Sequence, residues 1–525
     1  MTRRQNTSFR EYYPQISTTF SLDDTMDSRF RGNDSDDRLQ ITTNTVIPAK
    51  AGIHMRKILL TEEIVRLTQK SCGNNYQRGK IMNVILIVCD TWRRDHFGCY
   101  GNDWIHTPSV DRLAGRGTVF ENFYCASFPT LPCRRDMITG RYEFPWRGWG
   151  GLEKDDVALS GLIHESGRIS YFITDIYHHW SKAAGNFWCD FSGFELIRGQ
   201  ERDRWITDAD IEPDYPAPEY AETPRIKPHL RATKLIRKNE EDWFSPQVFS
   251  HAIRWIQHNA THKDFFLMID GFDPHEPWDP PRYYTDLYGD PDYSGHEYVT
   301  PSYRAIDGYL TEAEFRHIQA MYAGEITMVD KWLGRFLDQV ESMGLMDDTM
   351  IIVTTDHGTY NGDHGQVGKL QTHMYQGISH TPMIIWHPEY GHGKRARQLA
   401  QPIDIFPTVL EAVGLDIPED IHGKSLIPVL ENGDSQPLRD ASIFGRLNIS
   451  CNVTDGEHVL YHYGRPRSED KIETALIHLP SDPDEENDLS SHQPELLTRM
   501  RELLLDKLEK IGAPAKIKER LGLDK

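Results

Sequence analysis

The feature that most constrains the fold is an alternation of short apolar runs with helical segments, which begins at residue 83 and continues through most of the chain. Val84–Cys89 is a continuous apolar run, as expected for a strand buried on both faces of a parallel sheet. Similar strands are predicted at Ile169–Thr174, Phe265–Gly271, Met350–Thr355 and Met383–Trp386. Strands that alternate with helices predict an α/β fold with a large, mostly parallel sheet flanked by helices.

Helix start and stop signals place helices between these strands. Thr311 and Glu314 form a capping box that opens a long helix, and Gly344 closes that helix. Shorter helices are predicted at Leu159–Glu165, from Ser245 to about His258, and at Ile403–Val413. The charged, proline-containing residues 198–246 lack such periodicity, and we interpret them as an insertion that covers the ligand site.

The two ends of the chain differ from the alternating part. From about Asp440 the pattern predicts a small antiparallel sheet closed by a helix at Pro494–Ile511. We therefore expect a main domain at 82–439 and a C-terminal α+β subdomain at 440–525. Residues 1–81 are rich in Thr, Ser, Asn, Asp and Arg, and they are predicted to be a disordered extension or a gene-model artefact, with translation starting at Met82.

Composition excludes several classes of partner. The formal charge of −21 on 525 residues argues against nucleic-acid binding, which needs a basic face. Seven cysteines without a framework suit a reducing compartment, and neither a signal peptide nor an apolar run of membrane-spanning length is visible. We therefore predict a cytoplasmic protein with no membrane partner. The sequence does not determine the oligomeric state, and a homo-oligomer is possible.

The stretch from Ser127 to Arg141 carries the strongest chemical signal. Pro132 suits the first position of a helix, because it has no N–H to leave unpaired there. Thr130 is then expected just before the helix N-terminus, where negative charge is favoured. That position suits a nucleophile that becomes an alkoxide and attacks an anionic ester, and Arg134 is placed to neutralise the anion. The simpler alternative is that Thr130 is only an N-cap.

The same stretch resembles the sulfatase signature. Thr130-Leu-Pro-Cys-Arg134 and Thr139-Gly-Arg141 match Cys/Ser-x-Pro-x-Arg followed by Thr-Gly-Arg, and the segment 479–489 resembles the family's C-terminal motif. The resemblance implies the alkaline phosphatase superfamily fold and makes 82–439 its catalytic domain. Sulfatases oxidise the first residue of the signature to formylglycine, which Thr130 cannot form. Cys133 is no substitute, because its +2 and +4 positions are not Pro and Arg, so no formylglycine is expected.

Metal ligands are implied by the same resemblance. Asp90, Asp356 and His357 follow predicted strands, and the carboxyl ends of strands line the ligand crevice of open α/β sheets. The family match implies that these residues bind one divalent metal, with the Thr130 hydroxyl as a further ligand. Sulfatases have a second Asp where this chain has Thr91. The set therefore favours Mn, Zn or Fe over Ca, and it resembles that of phosphonate monoester hydrolases and phosphodiesterases.

Two further residues match catalytic positions of the family. Lys369 matches the lysine that contacts the ester oxygens, and His275 matches the histidine near the leaving group, which it can protonate. A second metal held by Asp273, His275 and His380 is a less favoured alternative. The segments His178–Trp180 and Arg198–Trp205 replace a neighbourhood of the family and are expected to shape substrate choice.

These residues predict a metal-dependent hydrolase that cleaves a phosphate, phosphonate or sulfate ester, the substrate being a small anionic ester. The expected mechanism has two steps with a covalent ester on Thr130. A phosphorus ester is favoured. In a sulfatase the formylglycine hemiacetal collapses and expels sulfate, whereas an ordinary threonine ester must be displaced by water, as in phosphate-transferring relatives. The alternatives are a sulfuric ester hydrolase without formylglycine and an inactive protein with the sulfatase fold that binds an anion.

Overall fold

The computed structural model describes residues 82–182, 185–259, 264–369, 373–464 and 472–523. The predictions for residues 1–81 lie outside the described residues. Within the described ranges, no helix is long and apolar enough to cross a membrane.

An eight-stranded sheet forms the centre of the main domain. Its strand order is β11-β2-β10-β7-β1-β5-β3-β4, and every neighbouring pair is parallel except the two that involve β10. The large, mostly parallel sheet that the sequence predicts is therefore confirmed. The strands are β1 (Asn83–Cys89), β2 (Thr118–Phe123), β3 (Ile169–Thr174), β4 (Gly193–Leu196), β5 (Phe265–Gly271), β7 (Thr349–Thr354), β10 (Met383–Trp386) and β11 (Lys394–Ala400).

Helices cover both faces of this sheet. In β1, Ile85 and Ile87 belong to one buried cluster, while Val84 and Leu86 belong to the cluster on the other face, which explains why the strand is apolar throughout. The helices are α1 (Pro108–Arg116), α2 (Thr130–Thr139), α3 (Leu159–Glu165), α4 (Lys227–Ile236), α5 (Phe244–Asn259), α6 (Arg282–Thr285), α7 (Glu312–Ser342), α8 (Gln376–Ser379), α9 (Ile405–Ala412), α10 (Ile427–Asn432), α11 (Pro494–Lys510) and α12 (Ala515–Arg520).

Two smaller sheets complete the described chain. A four-stranded antiparallel sheet contains β12 (Ser442–Arg446), β13 (Ser450–Thr454), β14 (His458–Gly464) and β15 (Ile472–His478). The helices α11 and α12 share a buried cluster with this sheet, through residues such as Leu504 and Ile517. A three-stranded sheet contains β6 (Arg304–Ala305), β8 (Tyr360–Asn361) and β9 (Gln366–Gly368). The small C-terminal antiparallel sheet is thus confirmed, while the domain boundary at 439/440 stays a prediction.

Two local predictions need correction. The helix α2 begins at Thr130 with Pro129 at the N-cap position, two residues before the predicted start at Pro132. Pro132 is tolerated as the third residue of α2 because the N–H groups of the first turn have no partner inside a helix. The insertion at 198–246 is less irregular than predicted, since it contains α4, whose Leu230 and Ala232 are buried. The capping box of Thr311 and Glu314 is present as expected.

Candidate active site

The parallel strands β5, β1 and β7 are neighbours, and each brings an aspartate to the same edge of the sheet. Asp90 follows β1, Asp270 lies at the end of β5 beside Val88 of β1, and Asp356 follows β7 by two residues. None of the three side chains is exposed to solvent. The carboxyl ends of these strands therefore form the buried floor of the site, as expected for an open α/β sheet.

Three of the predicted metal ligands meet here. Asp90, Asp356 and His357 each offer a ligand atom within 4.8 Å of the others. The Nδ1–H of His357 donates to the Gly358 carbonyl at 2.9 Å, which leaves Nε2 free to face the site. Burial lowers the pKa of His357 to about 4, so the imidazole is neutral at pH 7 and can bind a metal.

The charge balance of the floor fits a divalent cation. The guanidinium of Arg134 lies 3.0 Å from Asp90 Oδ2 and 2.8 Å from Asp270 Oδ1, and it also contacts Asp356. Three carboxylates around one guanidinium leave a surplus of two negative charges. Burial and the nearby Asp356 raise the pKa of Asp90, and its Oδ2 atom, apart from the ion pair with Arg134, accepts no hydrogen bond within the described residues. Two carboxylates and one neutral imidazole thus suit a dication.

Arg134 is located differently from the prediction. Its side chain is fully buried between the three carboxylates and is not part of the cleft wall, so the geometry does not support direct neutralisation of an ester by Arg134. Although burial opposes the shift, Arg134 lowers the pKa of Asp356. A buried guanidinium needs such partners. Its place in the structure is to hold the carboxylates of the floor together.

Thr130 is the residue that connects this floor with the cleft. Its side chain is 3% exposed and lines the cleft, and the N-cap position of α2 is occupied by Pro129, so that Thr130 is the first residue of the helix. The Oγ1 atom lies 3.5 Å from His357 Nε2. The N-cap alternative is therefore not what the structure shows. Thr130 is next to the predicted metal ligands, at a helix N-terminus.

Lys369 lines the cleft as predicted, but it has a partner that the sequence did not indicate. Its Nζ donates to Glu276 Oε2 at 2.9 Å and to Thr91 Oγ1 at 3.4 Å, and the Thr91 hydroxyl donates to Asp90 at 2.6 Å. The hydroxyl of Tyr303 donates to the other oxygen of Glu276. Lys369 is thus held beside the floor by a buried carboxylate.

His275 also lines the cleft. Its Nδ1–H donates to the Glu276 carbonyl, and its ring stacks on Phe272 at 4.0 Å between centroids. Burial, together with the charge of Lys369, holds the pKa of His275 well below its usual value. The resting imidazole is therefore neutral, with Nε2 as its acceptor atom, and it must gain a proton before it can act as an acid.

The alternative second metal site is not assembled. Both ring nitrogens of His380 are occupied, by the Gln376 side chain at 2.9 Å and by the Glu121 carbonyl at 2.7 Å. Within the described ranges, the only group of ligand residues close enough for a metal is the Asp90 group. Asp273 is instead bonded to Gln200. Asp273, His275 and His380 are therefore not a metal set.

Asp270 is a residue of the floor that the sequence analysis missed, and its partner His179 was named there only within the segment expected to shape substrate choice. His179 Nε2 donates to Asp270 Oδ2 at 2.8 Å, so this pair extends the floor on the β5 side. Asp270 lies at the end of a buried strand, as Asp90 does, so the sequence pattern that identified Asp90 could also have identified Asp270. The contact of Glu276 with Lys369 had no comparable signal, because the two residues are 93 positions apart.

A cleft of about 610 Å³ opens above Thr130, Lys369 and His275. The segment at 178–180 and the insertion reach it, as expected: His178 Nε2 lies 3.0 Å from Glu201 Oε2, and both residues line the cleft. We define the mouth of the cleft as Trp149, Arg225 and Arg446. The indole of Trp149 is 43% exposed, whereas Thr130 is buried.

Family models match most of the chain. The model described as "Sulfatase" matches residues 82–415, and the one described as "N-sulphoglucosamine sulphohydrolase, C-terminal" matches residues 362–511. An arylsulfatase of Clostridium perfringens is 26% identical, over 81% of this chain and 94% of the relative. The multifunctional alkaline phosphatase superfamily protein PehA of Trinickia caryophylli is also 26% identical, over 68% of this chain and 78% of the relative.

Solved structures share the fold. The structure of BT4656 in complex with its substrate D-glucosamine-2-N,6-O-disulfate has a TM-score of 0.66 at 19% identity, over 82% of this chain and 98% of that chain. The phosphonate monoester hydrolase of Agrobacterium radiobacter has a TM-score of 0.62 at 20% identity, over 84% and 96% respectively. Both sulfate-ester and phosphonate-ester enzymes are thus among the proteins that resemble this chain.

Proposed function

Because this chain belongs to the sulfatase family and is therefore an ester hydrolase, we propose that it cleaves a phosphorus ester through a covalent intermediate on Thr130. The observation that supports the proposal is the position of Thr130 Oγ1. This atom belongs to the first residue of α2, after the N-cap Pro129; it lies 3.5 Å from His357 Nε2 and borders the cleft. An N-terminal helix position favours the negative charge that an attacking alkoxide develops.

Proteins of the sulfatase family use a metal ion, and we propose that Asp90, Asp356, His357 and Thr130 hold one here. When bound, a divalent ion supplies Lewis-acid chemistry, which lowers the pKa of a hydroxyl and polarises the ester. The imidazole of His357 and the hydroxyl at Thr91, in place of a second carboxylate, favour Mn, Zn or Fe over Ca. No formylglycine takes part.

The first step forms the bond between Thr130 Oγ and phosphorus and breaks the bond from phosphorus to the leaving oxygen. Lys369 stabilises negative charge on the other ester oxygens, since its ammonium borders the cleft next to Thr91. The Thr130 hydroxyl loses its proton to solvent as this bond forms. His275 takes up a proton from solvent at Nε2 and donates it to the leaving oxygen, so the step as a whole moves one proton from Thr130 to the leaving group. In the second step water attacks phosphorus, the Thr130 ester bond breaks and the hydroxyl is regenerated.

A sulfate ester is the second candidate substrate. The relatives support it, because two of them are named arylsulfatase and N-acetylglucosamine-6-O-sulfatase. The chemistry of Thr130 supports a phosphorus ester. The covalent ester on Thr130 cannot expel its acid group as formylglycine does, so water must displace the group, as in phosphate-transferring members of the superfamily. In either case we propose a small anionic ester as the substrate and a cytoplasmic protein without a membrane partner. The charge of −21 supports the further proposal that no nucleic acid binds.

A panel of esters with one common leaving group tests the substrate class. The 4-nitrophenyl esters of sulfate, phosphate and phenylphosphonate release the same chromophore, so their kcat/KM values compare only the attacked centre. We expect a phosphorus ester to be the best substrate after the protein is loaded with Mn or Zn. A larger kcat/KM for the sulfate would replace the first candidate by the second. Stoichiometric metal without turnover of any ester would support the inactive anion-binding alternative.

A further inference from the structure

Arg446 is a cation in the cleft whose side chain has no protein counter-ion among the described residues. It ends β12 in the C-terminal sheet and lines the cleft beside Phe128, with its guanidinium carbon 5.7 Å from the ring centroid. Phe128 in turn contacts His357 edge-on, at 4.8 Å between ring centroids. Arg446 is therefore one aromatic ring away from the predicted metal ligand.

The carboxylates of the cleft do not balance this charge, because they are already paired. Glu276 binds Lys369 at 2.9 Å, and Glu201 binds Arg202 at 2.8 Å and His178 at 3.0 Å. Burial lowers the pKa of Arg446, as expected for a guanidinium that is partly removed from water. An unpaired, partly desolvated arginine is costly to a fold unless an anion binds there.

Trp149 lies on the same wall of the cleft. A Cβ placed on the preceding Gly148 would lie 3.4 Å from Leu447 Cδ2, so this segment packs against the residue that follows Arg446. The Trp149 ring contacts His178 edge-on at 4.9 Å and keeps 43% of its surface exposed. An exposed indole and an unpaired arginine that line the same cleft can together bind a ring that carries a negative charge.

We propose that Arg446 and Trp149 form a subsite for a leaving group that is a ring bearing a second anionic substituent. The proposal rests on the hydrolase function proposed above, and it adds that the preferred substrate carries a carboxylate, sulfate or phosphate in addition to the ester that is cleaved. Arg446 is then a specificity-determining residue that the C-terminal sheet contributes to the catalytic cleft.

Paired esters test the subsite in the metal-loaded protein. The 3-carboxyphenyl and 3-carbamoylphenyl esters of one reactive group differ in a single charge. We expect the wild type to favour the carboxylate by about tenfold to a hundredfold in kcat/KM, as for a hydrogen bond to a charged group. Arg446→Gln should remove this preference, Arg446→Lys should keep part of it, and Arg254→Gln, on the exposed side of α5, should keep all of it.

A binding assay separates failure of the subsite from failure of the hydrolase function. Calorimetric titration with 3-hydroxybenzoate and 3-hydroxybenzamide needs no turnover, and the same three variants serve. Tighter binding of the carboxylate that depends on Arg446, without hydrolysis of any ester, would support the subsite and overturn the hydrolase function. Equal or absent binding of the two products, or equal kcat/KM for the two esters, would overturn the subsite. A preference that survives Arg446→Gln would also overturn it.

Discussion

The two ends of the cleft differ in burial and in charge balance. The floor, formed by Asp90, Asp270, Asp356 and Arg134, is fully buried, and its carboxylates outnumber its guanidinium by two. The mouth is open to solvent, and within the described residues its two arginines have no carboxylate partner. A negative floor attracts a cation and a positive mouth attracts an anion. We therefore expect the reaction to take place at the floor and the rest of the substrate to be recognised at the mouth.

Removal of metal should have the largest effect, because it leaves the charge surplus of the floor unbalanced. We expect a chelator to abolish turnover and lower the melting temperature. Mn or Zn should restore both better than Ca, given the imidazole of His357. Elemental analysis and calorimetry of the chelated and reloaded protein measure this. Stoichiometric Ca that alone restores activity would contradict the predicted ligand preference.

Substitution of Thr130 should be nearly as severe for turnover and mild for folding. Thr130→Ala should lower kcat by about 10³-fold or more, as loss of a nucleophile does, while the metal content stays high. Thr130→Ser should keep appreciable activity, because a primary alkoxide in the same place attacks similarly. Steady-state kinetics and elemental analysis of both variants test this.

Thr130→Cys provides the matched gain-of-function test. It rebuilds Cys-x-Pro-x-Arg, so co-expression with a formylglycine-generating enzyme should raise sulfatase activity relative to phosphatase activity. If Thr130 were only a helix cap, truncation to Ala would cost about 1 kcal/mol of unfolding free energy and would leave kcat unchanged. A Thr130→Ala protein with full turnover would therefore contradict the mechanism.

Asp270→Asn tests whether the buried floor depends on its ion pairs. This change removes one partner of Arg134 and of His179, and it should lower the free energy of unfolding by about 3–5 kcal/mol. The exposed pair of Arg112 and Asp338 is the matched control, and Asp338→Asn should cost less than about 1 kcal/mol. Denaturant titration measures both variants. Equal losses would show that burial does not distinguish the two pairs.

Trp149→Ala should have the smallest effect, since it changes only the exposed mouth. Loss of an aromatic surface is worth about 0.5–1.5 kcal/mol, so we expect KM for an aryl ester to rise about twofold to tenfold with little change in kcat or stability. A large decrease in kcat would place Trp149 with the reacting groups and would break the distinction between the two ends.

Half of the floor, Asp90 and Asp356, was predicted from the sequence, whereas no residue of the mouth was. Strands such as Val84–Cys89 show their burial in an unbroken apolar run, and the parallel arrangement brings Asp90 and Asp356 together because both follow strands. The capping box at Thr311 is likewise a local signal. Local sequence signals of this kind predict the helices and strands and the residues at their ends.

Contacts between distant segments escaped prediction. The contact of Arg446 with Phe128 joins the C-terminal sheet to the segment before α2. The hydrophobic periodicity of the sequence does not indicate which distant segments come into contact. The ion pairs of Arg134 with buried carboxylates also depend on packing, and the sequence did not indicate them. The helix α2 begins at Thr130 and not at the predicted Pro132, because a proline is tolerated at any position of the first helical turn and therefore does not fix the first residue.

The central claim is the covalent ester on Thr130, and rapid-quench kinetics test it most directly. We expect a burst of released leaving group equal to the concentration of metal-loaded sites, followed by slower turnover. Peptide mass spectrometry of acid-quenched protein should place one phosphoryl or sulfuryl group on Thr130. A linear time course in which the peptide containing Thr130 stays unmodified, while the enzyme hydrolyses the same ester, would contradict the account.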